Sequence, residues 1–283
     1  MVLKMVIPKG RMFDRVNILM NDTGVIIKGA DRNYRPTSNV EDLQIKLLKS
    51  QNIPALVAMG QHDCGFAGAD WVREQQADVV DVLDLGFDPV KLVACIPETW
   101  DWQEVKQRKV IAVSEYQNLC SGYLRDQGVD FTFLRSYGAT EVFPPEDADV
   151  VVDNTATGST LIANRLKIVD VIMTSSTRFI ANRQAMDVAE NRDRIENFAL
   201  LFRGILAGRD RVLLEMNCPE DRVEELVALL PSMKSPTVAK LFGQSALSIK
   251  AAVPRTMVKD LVPKLREVGA SDILEMDIRK VIP

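Results

Sequence analysis

The sequence predicts an α/β protein in two parts: a body in which strands alternate with helices, then a small domain in the order β-α-β-β-α-β. Three observations predict it. Short apolar runs recur, each followed by a polar turn and then apolar residues at helical spacing. A long helix-patterned stretch, Met186–Gly208, ends on a glycine and serves as a connector. Beyond it the rhythm changes, because two strands follow each other with only Gly243-Gln244 between them.

Taken in order, Leu3–Ile7 reads as a strand and Pro8-Lys9-Gly10-Arg11 as a loop. Met12, Phe13, Val16, Leu19 and Met20 then mark one face of a helix, with Gly24 just past its end. Ser50–Pro54 opens a helix on a polar cap and an early proline, and Gly60 stops it. His62 falls in Gly60-Gln61-His62-Asp63 and reads as an exposed turn residue. Asp63–Ala67 is a short strand leading through Gly68-Ala69-Asp70 into a helix. Val79–Leu85 and Lys91–Ile96 read as two strands, and Asp88–Pro97 as a crossover into a second lobe. Val110–Val113 is a buried-type strand, Ser114 caps the helix that runs to Gly128, and Phe131–Leu134 and Asp149–Val152 are strands. The chain after Arg165 returns to the first lobe, which gives a two-lobed body with a cleft. Asp31–Asn39 is not placed by any of these patterns. In the last part, Arg211–Met216, Thr237–Phe242, Ala246–Val253 and Ile273–Ile278 are strands, and Pro219–Leu230 and Met257–Val268 are helices, a ferredoxin-like order.

Bulk properties narrow the function. The 283 residues are 47% hydrophobic with a formal charge of -4, which disfavours a nucleic-acid binder but leaves room for a local basic pocket. One histidine, with no G-x-S-x-G elbow, disfavours a serine triad and excludes a zinc site of the H-E-x-x-H kind. Cys64, Cys95, Cys120 and Cys218 form no C-x-x-C pair and read as small buried or half-buried thiols of a reducing compartment. Met1–Gly10 is too short an apolar stretch for a secretory signal, and no apolar run approaches a membrane span, so a cytoplasmic protein is expected.

The chemistry concentrates in Asp149–Leu161. An apolar strand ends in Asp153; Asn154, Thr155, Ala156, Thr157, Gly158, Ser159 and Thr160 follow; a helix then begins. Unpaired amides at a helix start, four hydroxyls and one glycine suit a phosphate, and Asp153 suits ribose hydroxyls. The same residues also fit a capped helix after a buried strand. There is no Walker A pattern and no G-x-G-x-x-G.

Asp153–Thr160 resembles the phosphoribosyl-diphosphate loop of phosphoribosyltransferases. The wider chain resembles the long form of ATP phosphoribosyltransferase, the first enzyme of histidine biosynthesis. Pro8-Lys9-Gly10-Arg11 carries the resemblance, as does Asp63-Cys-Gly-Phe-Ala-Gly-Ala-Asp70, similar to D-x-G-I-x-G-x-D. So do Gly138-Ala-Thr-Glu141-Val142, Lys234-Ser-Pro-Thr237-Val-Ala and Val268-Gly-Ala-Ser-Asp-Ile-Leu. Where the family commonly has serine-tyrosine-proline, this chain reads Ser114-Glu115-Tyr116-Gln117.

The resemblance implies a periplasmic-binding-protein-like catalytic body, with one lobe at 1–88 plus 166–208 and the other at 89–165, and an ACT-like regulatory domain at 209–283. It implies ATP and phosphoribosyl diphosphate as substrates, Mg²⁺ carried on the substrate pyrophosphate, L-histidine as inhibitor and a homo-hexamer built from dimers. Asp153–Thr160 and Glu141 are then the phosphoribosyl-diphosphate contacts. Lys9, Arg11, Asp70 and Tyr116 are the ATP side, and Thr237, Glu215 and Asn217 the histidine site. Lys9 and Arg11 also fit solvated surface charge, Asp70 a helix-start acid, Glu141 an exposed carboxylate and Tyr116 a packing residue. Two competing readings are a salvage phosphoribosyltransferase, which typically has two adjacent acids before the loop, and a non-enzymatic two-lobed binding protein.

Overall fold

The computed structural model describes residues 2–31, 33–233 and 235–282. Met1, Arg32, Lys234 and Pro283, each part of a segment discussed above, lie outside the described residues. The chain divides into two compact units, Met1–Ala199 and Leu200–Pro283.

In the first unit the chain order is β1 (Leu3–Pro8), α1 (Arg11–Thr23), β2 (Ile27–Lys28), β3 (Thr37–Ser38), β4 (Leu43–Leu48), α2 (Ile53–Ala58), β5 (Cys64–Gly68) and α3 (Ala69–Glu74). It continues through β6 (Val79–Pro97), α4 (Trp102–Val105), β7 (Val110–Ser114), α5 (Gln117–Asp126), β8 (Phe131–Arg135), β9 (Val150–Thr155), α6 (Ser159–Ala163), β10 (Leu166–Asn182) and α7 (Arg183–Asp187). Helix α8 (Ala189–Arg209) leads into the second unit.

One eight-stranded sheet runs β4-β1-β5-β10-β6-β9-β7-β8. It consists of two parallel trios, β4-β1-β5 and β9-β7-β8, joined by the antiparallel pair β10-β6. Parallel pairing is thus confined to the trios, whose strands are buried apolar runs such as Val150-Val151-Val152. Residues Val79–Pro97 form one strand rather than two. Its register slips opposite Ser175–Thr177, where Gly86 (φ +66) and Asp88 (φ +47) absorb a bulge.

The sequence patterns did not place β4 or β10. The helix expected at Met186–Gly208 is divided: Asn182 caps α7 by accepting from the Ala185 amide at 2.9 Å, and Val188 is extended. His62 is not an exposed turn residue, being only 9% exposed. The turn is tucked against β1, because the Asp63 amide donates to the Lys4 carbonyl and the Asp63 carboxylate accepts from the Lys4 amide at 2.7 Å. All four cysteines are buried and free.

Helices α3 and α5 are tied to each other. Buried Glu74 of α3 accepts from the Asn118 and Leu119 amides at the start of α5, at 3.0 and 2.9 Å. Its charge therefore satisfies amides that a helix start leaves without partners.

The second unit contains β11 (Arg211–Pro219), α9 (Val223–Leu229), β12 (Thr237–Lys240), β13 (Ala246–Pro254), α10 (Val258–Glu267) and β14 (Ser271–Asp277). Its antiparallel sheet runs β12-β13-β11-β14, as the ferredoxin-like pattern requires. Val212, Leu214 and Met216 alternate inward on β11 and share a core with Leu226, Leu261 and Leu265 of the two helices. The other sheet face is left open. Among the described residues no helix is long and apolar enough to cross a membrane.

Candidate active site

The loop after β9 is held by its own hydroxyls. The Gly158 amide donates to Thr155 Oγ1 at 2.8 Å, and the Thr157 and Ser159 hydroxyls lie 3.0 Å apart. Gly158 adopts φ +79, a left-handed turn that suits glycine, before α6 begins. With five residues, α6 offers little dipole. The loop amides and hydroxyls are what the site presents.

A pocket of about 400 Å³ lies over this loop. It is lined by Arg11, Val90, Glu141, residues 153–157 and residues 159–161. Arg11 comes from the first turn of α1, Val90 from β6, Glu141 from the short helical turn at Thr140–Val142, and the rest from the end of β9 onward. Four chain segments therefore meet by the carboxyl ends of parallel strands β1 and β9, where ligands bind in open α/β sheets. A smaller pocket of about 120 Å³ shares Arg11, Val90 and Asn154 with it, and adds Asp70, Trp71, Asp88 and Ser175 among others.

Charge in the larger pocket is unbalanced. Burial pushes the Asp153 carboxyl up to about 6; the nearby negative charges of Glu115 and Glu141 add to this. Hydrogen bonds from the Asn154 amide and the Thr140 hydroxyl act in the opposite direction. Arg11 is the pocket's one lining cation, 75% exposed and 3.9 Å from Asp88. Non-glycine residues with positive φ sit on the rim, at Ala139 (φ +49) just before Glu141 and at Asp88. Such strain persists where the surroundings impose it, and it clusters at functional sites.

Between the pockets runs a buried polar chain. Asn154 Nδ2 donates to the Tyr116 hydroxyl at 2.7 Å, and that hydroxyl donates to Asp70 Oδ2 at 2.7 Å. Asp70 Oδ1 accepts from the Ser175 hydroxyl at 2.7 Å. Burial, then the charge of Asp70, push the Tyr116 phenol far up, so it stays protonated and donates. A Cβ on Gly68 would collide with the Asp70 carboxylate, so this position has to be glycine for the chain to close.

The candidates thus separate. Arg11, Asp70, Glu141 and the loop from Asp153 to Thr160 come together, Gly158 as the loop's turn. Lys9 does not line either pocket; its ammonium lies 4.1 Å from the Tyr34 ring. Tyr116 is 1% exposed and reaches the cleft through Asn154, Asp70 and Trp71. Trp71, stacked on it at 4.5 Å, is the aromatic residue that lines the cleft. Trp71, Asp88 and Ser175 were not singled out from sequence. The hydroxyl run Thr174-Ser175-Ser176-Thr177 was the available signal for the last of these.

Among the described residues no cluster of three or more His, Cys, Asp or Glu forms a metal site. Asp153, Glu115 and Glu141 do crowd negative charge at one place, which suits a hard cation shared with ligand oxygens.

In the second unit, register sets Thr237 opposite Lys250 and Lys250 opposite Glu215, so all three share the open face. Glu215 pairs with Lys250 Nζ at 3.0 Å, and Asn217 Nδ2 donates to Asp272 at 2.9 Å.

Residues 49–204 match the family model for ATP phosphoribosyltransferase, and residues 208–280 match that for the HisG C-terminal domain. The ATP phosphoribosyltransferase of Desulforudis audaxviator is 39% identical over all of this chain and all of its own. That of Thermodesulfovibrio yellowstonii is 36% identical, covering 100% of this chain and 99% of the relative. Among solved structures, a chain of the ATP phosphoribosyl transferase (HisG:HisZ) complex from Thermotoga maritima matches 71% of this chain and 98% of itself, with a TM-score of 0.63. At 22% identity that likeness concerns the fold alone. With one family model spanning more than half of its residues and relatives 36–39% identical from end to end, this chain belongs to the ATP phosphoribosyltransferase family.

Proposed function

We propose that the chain catalyses attack by adenine N1 of ATP on C1 of phosphoribosyl diphosphate. The N1–C1 bond forms, the bond from C1 to the pyrophosphate oxygen breaks, and phosphoribosyl-ATP and pyrophosphate leave. The observation that carries this reading is the single pocket that gathers Arg11, Glu141 and the Asp153–Thr160 loop.

N1 is a neutral nucleophile with a lone pair, so no strong base has to create it. The work is to align N1 with C1 and to stabilise the departing negative charge. Amides and hydroxyls of 155–160 hold the 5′-phosphate, with Gly158 letting the backbone approach. Asp153 accepts from ribose hydroxyls and so must be ionised. Glu141 stands on the same rim as a second carboxylate. Arg11 faces the polyphosphate charge, and Lys9 sits on the same loop. Asp70 and Tyr116 act through the buried hydrogen-bond chain that holds Asn154, while Trp71 offers an aromatic face to adenine. Mg²⁺ carried on substrate oxygens would stand beside Asp153 and Glu141 and would neutralise the leaving pyrophosphate.

The lobes in this proposal are residues 1–88 plus 166–208 and residues 89–165. Residues 209–283 form a regulatory domain that binds L-histidine through Thr237, Glu215 and Asn217, and the assembly is a homo-hexamer built from dimers. The deciding assay follows phosphoribosyl-ATP by ultraviolet absorbance with ATP, phosphoribosyl diphosphate and Mg²⁺, with pyrophosphatase to draw the equilibrium forward. Turnover that L-histidine suppresses is expected. Absence of turnover from folded protein refutes the catalytic assignment, and turnover indifferent to histidine refutes the regulatory one.

A further inference from the structure

A cavity of about 270 Å³ lies outside the cleft, on the edge of the large sheet. Lys4, Arg35, Gln44, Lys46, Gln61 and His62 line it. Register pairs Lys4 with Gln44 and Val6 with Lys46, so Lys4, Gln44 and Lys46 project from one sheet face. Lys4 stands four residues up β1 from Pro8, about 13 Å along the strand, and Arg11 lies further on. The cavity is therefore at the opposite end of the strands from the cleft.

Three cations converge there, and no carboxylate is among the lining residues. Among the described residues none of the three forms an ion pair with an acid. Lysines on an edge strand can simply discourage pairing with another sheet, and β4 is such an edge. That accounts for cations pointing at solvent. It does not account for His62, which is 91% buried against this cavity with a ring nitrogen, Nδ1, that has no partner among the described residues. An arginine fork, two ammonium groups and two glutamine amides form a donor set suited to phosphate oxygens. The volume admits a phosphate or diphosphate group.

We infer that this cavity is a second anion site, which takes a phosphate or diphosphate group on Lys4, Arg35 and Lys46 against His62. The inference stands independently of the reading of the cleft. A bound anion neutralises the like charges and gives the imidazole an acceptor or an ordered water. Burial first, and then the facing charges of Lys46, Lys4 and Arg35, hold the His62 pKa below the ordinary value, while Asp63, which also faces it, opposes them.

His62 is the only histidine, so its ring is a site-specific reporter in untagged protein. With ¹³C-labelled histidine, inorganic pyrophosphate is expected to shift the ring signal saturably and raise its apparent pKa, at ionic strength matched with sodium chloride. Asp153→Asn protein is expected to behave the same, since its lesion is in the cleft. Lys46→Gln and, separately, Arg35→Gln are expected to weaken the response by about tenfold. A stronger response to ATP than to pyrophosphate identifies a nucleotide's terminal phosphates as the source, and the reverse identifies free diphosphate. A shift no larger than sodium chloride gives, or an equal shift in both variants, overturns the site.

Discussion

The cleft loop and the open face of the C-terminal sheet both carry candidate ligand contacts, and they are held in opposite ways. In the cleft, Asp153 is crowded by Glu115 and Glu141, and one exposed arginine stands nearby. On the sheet, Glu215 is already neutralised by Lys250 and Asn217 already donates to Asp272. A ligand entering the cleft meets a local charge excess that it can relieve together with a cation. A ligand on the sheet has to exchange existing pairs for new ones. The cleft is thus arranged for a charged ligand and gives up stability in its absence, whereas the polar groups of the sheet face are satisfied as they stand.

The largest effect should come from Asp153→Asn. We expect kcat/KM for phosphoribosyl diphosphate to fall by about 100-fold or more, while the melting temperature at pH 8 stays level or rises. Thr237→Ala, on the other surface, should leave turnover intact and weaken histidine inhibition. If Asp153→Asn is instead much less stable with little loss of rate, the contrast between the two regions fails.

A pH series sharpens the same contrast. With its carboxyl raised to about 6, Asp153 is protonated below that value and cannot accept ribose hydroxyls in the ionised form. The kcat/KM for phosphoribosyl diphosphate should therefore show an acid limb near pH 6 that Asp153→Asn lacks. Stability moves the other way. A carboxyl bound more tightly by its proton in the folded state favours folding fully below its ordinary pKa, and that contribution is lost as pH rises through about 6. Urea unfolding between pH 4 and 8, wild type against Asp153→Asn, checks the sign.

Tyr116→Phe is the next step down. It strips the hydroxyl that accepts from Asn154 and donates to Asp70, leaving buried polar groups unpaired at a cost of about 1–3 kcal/mol. Denaturant titration should show that loss, and the KM for phosphoribosyl diphosphate should rise as Asn154 loosens. The smallest effect is expected at Lys250→Met. Its pair with Glu215 is half-exposed, so stability should change by less than about 1 kcal/mol, readable as a small shift in the urea midpoint. A loss of several kcal/mol there would erase the difference between the two surfaces.

What the sequence made legible follows from which signals are local. The Asp153–Thr160 loop was legible because strand, acid, hydroxyls and glycine are contiguous. The C-terminal domain was legible from its order of elements. Strand β10 was not, because exposed Asp170 and the run Thr174–Thr177 dilute its apolar alternation. Strand β6 read as two because Gly86 and Pro89 look like a break, whereas the fold uses them as a bulge. His62 read as exposed because the Asp63–Lys4 bonds that tuck its turn inward join positions far apart in sequence. Ser175 and Asp70 lie 105 positions apart, so their hydrogen bond leaves no trace in any window of sequence.

The pairing of Pro97 with Leu166 has a consequence for how this architecture can be rearranged. The chain departs at Pro97, builds β7, β8 and β9, and comes back to a partner about 5 Å away. The segment between has its two covalent junctions side by side, so a transplant of it would be spliced at one place in space. It would also have to bring the residues that meet the frame, because β9 pairs with β6, Tyr116 donates to Asp70 and the start of α5 donates to Glu74.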